Sequence, residues 1–493
     1  MRALLVYPEF PETFWSFKHA LRFVSKRASF PPLGLLTVAA MLPREWEKRL
    51  VDMNVASLEE SDLAWADYVF VSAMAIQRRS VEDVLSCCRR VGVPVVAGGP
   101  LFTAEPEGFP TVDHLVLNEA EVTLPRFLSD LAAGRPDRVY AADKFADVRQ
   151  TPVPLWELAD LRRYAGMNIQ YSRGCPFNCE FCNVTTLFGH VPRVKTAAQI
   201  IAELDSLYAL GWRGNVFFVD DNLIGNKRHL KEEILPALRA WRARDRGIRF
   251  QTEVSINLAD DEELTRGLVE AGFDTVFVGI ETPDDQSLAE CGKVQNRRRD
   301  LVASVRRLQR AGLQVQGGFI VGFDADTPSI FQRQIEFIQR TGIVTAMVGL
   351  LQAPRGTRLY QRLAREGRIL DDITGDNTDG SLNFVPRMDR EQLLAGYRRI
   401  LQEIYAPHAY YERIRTFLKE YQPAPGKYHI SRAEVAAFLR SLYRLGLREA
   451  GRLQYWKLFF WTLLRRPRLF PVAITLSIYG VHFRQIARRA TAG

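Results

Sequence analysis

Three of the chain's six cysteines lie within eight residues, at Cys175, Cys179 and Cys182. They follow an apolar, strand-like run that ends at Ser172, and they fall in a loop. Thiolates at this spacing can ligate three irons of a [4Fe-4S] cube, and no fourth cysteine lies nearby to complete the ligand set of an electron-carrying cluster. The motif therefore predicts a cluster with one iron open to a substrate or cofactor.

A zinc site, a disulfide knot or a chance cluster of cysteines could also account for this motif. Zinc would require a fourth Cys or His at short spacing. The nearest histidine, His190, lies beyond an apolar stretch at no usual interval.

With Phe181 directly before the last cysteine, the motif resembles the signature of the radical S-adenosylmethionine (radical SAM) family. The resemblance implies that the open iron chelates the amino and carboxylate groups of SAM, beside Phe181. It also implies that one electron from the cluster cleaves the sulfonium and releases a 5′-deoxyadenosyl radical. The three cysteines would then be catalytic as well as metal-binding residues.

Residues 1–140 alternate short apolar runs with helical patterns. Such alternation predicts a parallel sheet covered on both faces, that is, a doubly wound, Rossmann-like α/β domain. The expected strands are Ala3 to Tyr7, Arg49 to Asp52, Tyr68 to Ser72, Val93 to Ala97 and His114 to Leu117. Ligands of such sheets bind at the carboxyl ends of the strands, so the loops that follow are candidate binding loops.

This domain, placed directly before the cysteine motif, resembles the cobalamin-binding domain of B12-dependent radical SAM enzymes. The resemblance implies cobalamin contacts at the strand ends and in a Pro-rich segment, at Pro32, Leu33, Gly34, Asn54, Ser72, Met74, Gly98, Gly99 and Glu119. One departure is the D-x-H-x-x-G motif, which here reads Asp52-Met53-Asn54-Val55-Ala56-Ser57, without the histidine that ligates cobalt. The alternative is a flavodoxin-like sheet that has lost its ligand and serves as a docking or lid domain.

Residues 141–165, which include Pro152 and Pro154, are expected to form a linker. From 166 to 355 the alternation resumes at longer spacing, and six strands with amphipathic helices between them fit a partial (β/α)6 barrel. The expected strands are Met167 to Ser172, Asn215 to Val219, Arg249 to Val254, Thr275 to Gly279, Gln314 to Val321 and Ala346 to Leu351.

Polar or glycine-rich residues end several of these strands, where apolar core strands do not need them. By resemblance to the family, they contact SAM through Asp220, Asp221, Glu253, Ser255, Asn257, Glu281, Gly317, Gly318 and Val321. The Gly-Gly-Glu segment of many relatives is missing, so Asp220 or Asp221 would have to accept the amino group of SAM. Alternatively, Asp221 and Asn222 cap the next helix.

Residues 356–450 are expected to form a helical C-terminal domain, and residues 451–493 a basic, apolar tail. The tail has eight Lys or Arg and no acid, whereas the net charge of the whole chain is +9. Its apolar run of fifteen residues, Leu469 to Phe483, is too short to span a bilayer. The tail is interpreted either as an interfacial helix pair on anionic lipid or as a helical cap whose aromatic residues pack on the barrel.

Cysteine usage favours a reduced, cytoplasmic compartment, because six cysteines are too few for a disulfide scaffold. The run Ala3 to Tyr7 is too short for a signal peptide. The tail adds a candidate peripheral contact with the inner face of the membrane. Its aliphatic character, and the lack of an RNA-binding module, argue against nucleic acid.

Across residues 1 to about 405 the chain resembles the group that includes the hopanoid C-2 methylases, and no counterpart of the tail is expected there. The resemblance implies a methyltransferase that uses a [4Fe-4S] cluster, SAM and cobalamin to methylate an unactivated carbon of a lipid or other apolar metabolite. A reductase or flavodoxin-type protein would donate the electron. The alternatives are C–C coupling, cyclisation or oxidation without methyl transfer, and a non-enzymatic iron–sulfur protein.

Overall fold

The computed structural model describes residues 1–244, 247–371, 373–376, 378–424 and 432–492. Its first unit is a parallel six-stranded sheet in the order β2-β1-β3-β4-β5-β6. The strands are β1 Arg2–Tyr7, β2 Glu47–Asp52, β3 Tyr68–Ser72, β4 Val95–Gly98, β5 His114–Val116 and β6 Val139–Tyr140. The helices are α1 Lys18–Leu21, α2 Leu33–Met41, α3 Glu60–Trp65, α4 Arg78–Val91, α5 Pro100–Ala104 and α6 Ala120–Ala132.

Side chains of β1 show why this sheet is covered on both faces. Leu4 and Val6 pack in one core with residues of α3 to α5, and Ala3 and Leu5 pack in another with residues of α2 and α6. Successive residues of a strand point to opposite faces, so a strand buried on both sides reads as a continuous apolar run.

The second unit is a parallel six-stranded sheet in the order β14-β13-β12-β11-β10-β7, with an antiparallel pair, β8 and β9, beside it. The strands are β7 Met167–Ile169, β8 Ser172–Arg173, β9 Arg193–Val194, β10 Val216–Phe218, β11 Phe250–Val254, β12 Phe273–Glu281, β13 Gln314–Val321 and β14 Ala346–Leu350. The helices are α7 Val184–Phe188, α8 Ala197–Ala209, α9 Lys227–His229, α10 Leu235–Arg242, α11 Glu262–Ala271, α12 Asp285–Glu290, α13 Leu301–Ala311 and α14 Ile330–Thr341. This is the expected partial barrel.

Capping residues set the bounds of the barrel helices. Asp300 accepts a hydrogen bond from the amide of Ala303 at 2.9 Å, so α13 begins at Leu301. Gly272 and Gly312, with φ of +105° and +106°, end α11 and α13.

The run Met167 to Ser172, expected as one strand, is two. Strand β7 ends at Ile169, and Ser172–Arg173 pairs instead with β9. The amides of Tyr171 and Ser172 donate to the carboxylate of Asp220. Because a side chain takes these two amides, the parallel ladder ends there.

The C-terminal region is helical: α15 Arg358–Arg365, α16 Arg390–Tyr405, α17 Pro407–Glu420, α18 Arg432–Tyr443, α19 Arg452–Arg465 and α20 Phe470–Ala492. Helix α20 lies in the main core, where Leu476, Phe483 and Ile486 are buried. This supports the cap interpretation for α20. Within the described residues, none of the helices combines the length and the apolar character needed to cross a bilayer.

Candidate functional site

The loop that carries the three cysteines lies between β8 and α7. It begins at Gly174, whose φ is +96°. A methyl group at Gly174 would lie 2.9 Å from the carbonyl oxygens of Gly189 and Val191, so the position requires glycine. The amide of Cys175 donates to the carbonyl of Gly189 at 3.2 Å. The first cysteine therefore follows a backbone that is fixed by close contact.

The three motif cysteines are half-buried free thiols that lie close enough to influence one another. Burial, together with the charge of Cys179, raises the pKa of Cys175 above its ordinary value and raises that of Cys182 to about 12. No three Cys, His, Asp or Glu side chains of the described ranges converge on one metal ion. A cubane takes its ligands on separate irons, so the three thiols fit a [4Fe-4S] cluster better than a single zinc ion.

Lys293 is a cation beside these thiolates that sequence reasoning missed. Its Nζ lies 2.5 Å from Oε1 of Glu281. Burial would lower the pKa of Lys293, but the charges of Glu281 and Cys179 outweigh burial and raise that pKa above its ordinary value. Lys293 therefore stays charged. No motif marks it, because it lies in an irregular loop twelve residues after its partner.

Glu281 owes its position to an irregularity in β12. The pairing with β13 shifts between Gly279 and Glu281, and Glu281 has φ +63°. A left-handed backbone is unfavourable for a residue with a side chain and is retained only where the surroundings hold it. Here Asn296 donates to the carbonyls of Gly279 and Ile280, at 3.0 Å each. The irregular strand end directs Glu281 toward Lys293.

The two acids after β10 have different surroundings. Asp220 accepts hydrogen bonds from the amides of Tyr171 and Ser172 and, at 2.6 Å, from the Ser172 hydroxyl. It therefore anchors the segment before the cysteines. Among the residues that the structure describes, the buried Oδ2 of Asp221 has no hydrogen-bond partner. Burial raises the pKa of Asp220 to about 7 and that of Asp221 to about 6. An unpaired buried carboxylate oxygen fits a ligand's ammonium group.

Glu253 is directed into the barrel from β11. It is partly exposed, whereas its neighbours Thr252 and Val254 are buried on the helix side. Burial raises the pKa of Glu253 to about 8, and the charges of Asp221 and Asp220 contribute. The three acids therefore lie near one another at the same end of the barrel.

Ser255 and Asn257, which follow β11, bond to each other. The Ser255 hydroxyl donates to Oδ1 of Asn257 at 2.6 Å, and the Ser255 amide donates to Oδ1 of Asn222 at 3.1 Å. Asn222 makes no cap hydrogen bond to the helical turn after it. Its side chain ties β10 to β11, so the helix-cap alternative does not describe Asn222.

Both glycines of β13 are required by close packing. A methyl group would lie 2.8 Å from the ring of Phe277 at Gly318, and 2.8 Å from the ring of Phe319 at Gly317. Gly318 pairs with Gly279 of β12, so no side chain projects from either strand at this level of the barrel.

The structure separates Val321 from Phe181. Val321 is fully buried in the main core. Ile320, on the opposite face of β13, belongs with Phe181 to a small cluster in which the rings of Phe181 and Phe323 lie 6.2 Å apart. SAM contacts by Phe181 and Val321 stay predictions, and Ile320 is the β13 side chain beside Phe181.

A cavity of about 400 Å³ lies between the N-terminal sheet and the barrel. This volume is typical of small-molecule sites. A methyl group at Gly98 would lie 2.6 Å from the carbonyl oxygen of Val116, so only glycine lets β4 end this close to β5. The wall includes eight of the nine residues predicted to contact cobalamin: Pro32, Leu33, Gly34, Ser72, Met74, Gly98, Gly99 and Glu119. These contacts stay a prediction that the shape of the cavity fits.

Asn54, the ninth residue, is not among those that line the cavity. Its Oδ1 accepts from the amide of Phe10 at 2.9 Å, and its Nδ2 donates to Oδ1 of Asp52 at 2.7 Å. Asp52 in turn accepts from the hydroxyl of Tyr164 at 2.9 Å. These residues tie the loop after β2 to the loop after β1 and to the segment between the two units. The side chain of Asn54 is therefore engaged in contacts within the protein and does not line the cavity.

Four charged residues join the two units: Glu119, Glu121, Arg173 and Arg193, the interdomain ion-pair cluster. Arg173, two residues before Cys175, donates to Glu119 at 2.9 Å and to Glu121 at 2.8 Å and 3.0 Å. Arg193 donates to both oxygens of Glu119 at 2.9 Å. Burial would raise the pKa of Glu121, but the charge and hydrogen bonds of Arg173 lower it to about 2. Glu119 and Glu121 thus hold Arg173 at the cavity wall.

Family models match three consecutive parts of the chain. The B12 binding domain matches residues 24–128, the radical SAM superfamily residues 169–338, and a domain of unknown function, DUF4070, residues 357–493. An uncharacterized methyltransferase of Synechocystis sp. is 41% identical over 98% of this chain and 92% of its own length. The chain belongs to the cobalamin-dependent radical SAM methyltransferases. This confirms the predicted family and excludes a non-enzymatic iron–sulfur protein.

A second relative of this radical SAM enzyme is the hopanoid C-2 methylase of Rhodopseudomonas palustris, 36% identical over 100% of this chain and 94% of its own length. Residues 451–493 therefore have a counterpart in that methylase, and the expectation that they have none was wrong. Among solved structures, the radical SAM methyltransferase TsrM of Kitasatospora setae, with cobalamin and a [4Fe-4S] cluster bound, matches with a TM-score of 0.63 and 16% identity over 100% of both chains. That likeness confirms the fold class.

Proposed function

We propose that this radical SAM enzyme methylates an unactivated carbon of a lipid or another apolar metabolite. The interdomain ion-pair cluster is the observation that carries the proposal. It joins the residue two positions before Cys175 to the loop that lines the cobalamin cavity. Two cofactors that act in turn on one carbon must be held at a fixed separation, and buried ion pairs at this junction provide that.

When bound, SAM on a cluster held by Cys175, Cys179 and Cys182 would supply a 5′-deoxyadenosyl radical, and cobalamin would supply the methyl group. The chain's own residues would bind and orient these cofactors. Asp221 and Glu253 would hold the ammonium group of SAM, and the buried Oδ2 of Asp221 would accept a hydrogen bond from it. Lys293 provides a positive charge next to the thiolates. The barrel and the N-terminal sheet together keep water from a reactive species.

The test is turnover of anaerobically reconstituted protein loaded with iron, sulfide, cobalamin and SAM, with a nonpolar lipid extract and a chemical reductant. We expect 5′-deoxyadenosine, S-adenosylhomocysteine and a lipid heavier by one methylene. A variant with alanine at Cys175, Cys179 and Cys182 should form none of these. A coupled, cyclised or oxidised lipid without S-adenosylhomocysteine would favour the alternative without methyl transfer, and failure to bind cobalamin would exclude the methyltransferase function. Lipid profiles of cells with and without the gene identify the substrate.

We infer that a reductase or flavodoxin-type protein reduces the cluster. Asn178 of the cluster loop is exposed, and the exposed Arg358 donates to its carbonyl at 3.3 Å. A basic residue at the rim of the loop complements an acidic electron carrier. Arg358→Glu should slow cluster reduction by flavodoxin and leave reduction by dithionite unchanged, and equal rates with flavodoxin would contradict this inference.

We also infer a cytoplasmic enzyme that contacts the inner membrane face through α18 and α19 rather than α20. Large apolar side chains are exposed along these helices and the turn between them: Val435, Leu439, Tyr443, Leu447, Leu453, Phe460, Leu463 and Leu464. Exposed basic residues accompany them: Arg440, Arg448, Arg452, Lys457 and Arg465. We call this surface the α18–α19 face. Exposed apolar residues beside Lys and Arg fit a bilayer that contains anionic lipid.

A further inference from the structure

Residues 8–32, between β1 and α2, bring aromatic side chains into the barrel. The ring centroid of Trp15 lies 4.8 Å from that of Phe277, and the ring centroid of Phe30 lies 5.3 Å from that of Phe217. Phe277 and Phe217 are partly exposed positions of β12 and β10 between fully buried neighbours, so they face the barrel interior. The first unit thus contributes part of the inner surface of the second.

The indole of Trp15 is partly exposed to solvent although it lies against the barrel interior. Trp15 is 44% exposed, whereas the preceding Phe14 is fully buried. A large apolar ring that the protein itself does not cover favours an apolar ligand that does.

The residues on the inner face of strand β12 change from apolar to charged along the strand. Phe277, beneath Trp15, is followed by Gly279 and then by Glu281 with Lys293. The four-residue step from Phe277 to Glu281 spans roughly 13 Å, at about 3.3 Å per residue. A molecule that rests on Trp15 therefore extends toward the end of the barrel where the cysteines lie.

The segment around Trp15 is held rigidly by helix α20. Nε2 of His482 lies 3.0 Å from the carbonyl oxygen of Thr13 and 3.1 Å from that of Phe14. Both partners are acceptors, so this nitrogen carries a proton and donates. The ring of Phe14 stacks on that of Phe483 at 5.6 Å. An exposed aromatic side chain on a backbone fixed in this way is preorganised for binding.

We propose that Trp15 and Phe277 form the apolar wall of the substrate site, with His482 as the residue that positions Trp15. The two rings are fixed at an interplanar angle of 54°. A rigid fused-ring hydrocarbon skeleton matches such a surface better than a flexible chain, because little conformational entropy is lost when it binds. This inference rests on the proposed function and names its substrate class.

Equilibrium binding of radiolabelled cholestane, a saturated fused-ring hydrocarbon in detergent micelles, to the cluster-, SAM- and cobalamin-loaded enzyme tests the wall. Trp15→Ala should raise Kd by about tenfold or more, and Trp15→Phe by less. Linear hexadecane should bind the wild type more weakly than cholestane. Trp65→Ala is the matched control, because Trp65 lies outside the barrel under the guanidinium of Arg49, 3.9 Å from its ring centroid. It should leave Kd unchanged.

The Kd values of His482 variants test the positioning role of His482 separately. His482→Ala should raise Kd although Trp15 is intact, and His482→Gln, which keeps an N–H donor, should restore part of the affinity. A merely structural role would not distinguish the two variants by the donor they carry. Equal Kd values for His482→Gln and His482→Ala would overturn this role.

The outcomes separate this inference from the proposed function. An unchanged Kd in Trp15→Ala, or methylation with an unchanged KM in that variant, overturns the wall and leaves methyl transfer standing. Cholestane binding that depends on Trp15 in an enzyme that transfers no methyl group supports the wall and refutes the proposed function alone.

Discussion

Lys293 places one positive charge beside the anionic ligand set of the cluster. A cation stabilises the reduced cluster more than the oxidised one, because reduction adds a negative charge. Lys293→Met should therefore lower the cluster's reduction potential, by on the order of tens of millivolts. A redox titration followed by electron paramagnetic resonance measures this shift. Glu281→Gln keeps the cation and removes its counter-charge, so its potential should shift upward, and unchanged potentials in both variants would contradict the electrostatic role.

Glu253 makes stability depend on pH in a defined window. Its pKa is raised from 4.5 to about 8, so the folded chain favours the protonated acid. That stabilisation is fully present below pH 4.5 and is lost as the pH rises through about 8. In iron-free, SAM-free protein, the melting temperature of Glu253→Gln should exceed that of the wild type by a margin that grows as the pH rises from 4.5 to about 8. Above that pH the margin should stay constant.

Thermal melting at a series of pH values checks this prediction. Glu262, exposed in the first turn of α11, gives the control substitution Glu262→Gln, whose effect should not follow the same window. A difference for Glu253→Gln that did not change with pH would show that the carboxyl is not protonated in the folded chain.

Charged side chains join the start of α6 to strand β8. The side chains of Arg173, Glu119 and Glu121 are 13%, 2% and 7% exposed, so these ion pairs are buried. Removing one partner from such a pair leaves uncompensated charge and costs about 3–5 kcal/mol. Arg173→Met should lower the free energy of unfolding by that amount and should release cobalamin from the loaded enzyme during gel filtration.

Glu121 makes the stability of the same junction fall at low pH. Its pKa is lowered from 4.5 to about 2, so its stabilisation is present above pH 4.5 and is lost as the pH falls toward 2. The stability advantage of the wild type over Glu121→Gln should shrink over that range. An advantage that persisted below pH 2 would indicate that charge is not its source.

Most strands of both sheets were predictable, because strands covered on both faces read as apolar runs. The two-residue edge strand β6 was not predicted. The split of the run from Met167 was not. It depends on Asp220, 48 residues away, taking the amide of Ser172. Lys293 and His482 were missed, and Asn222 was interpreted as a possible helix cap, for the same reason, since each acts through a partner distant in sequence. The sequence predicted a SAM contact for Val321, whereas the structure buries Val321 in the main core and places Ile320 beside Phe181 and Phe323.

At the scale of the molecule, the membrane contact that we propose depends on the α18–α19 face. Phe460→Glu with Leu464→Glu adds two charges to this face and should reduce co-sedimentation with vesicles that contain phosphatidylglycerol. Leu210→Glu is the control, because Leu210 is similarly exposed, at 44%, but lies at the end of α8. Deletion of residues 451–493 would be a poor test, because α20 belongs to the core. Unchanged sedimentation of the double variant would contradict the contact.

The hydrogen bonds of His482 to the carbonyls of Thr13 and Phe14 close a loop of more than 460 residues. Residues 13 and 14 are synthesised long before His482, and the last strand of either sheet, β14, ends at Leu350. A nascent chain can therefore complete the strands of both sheets before the backbone next to Trp15 is held in place. The orientation of the Trp15 indole is thus among the last features of the fold to form during synthesis.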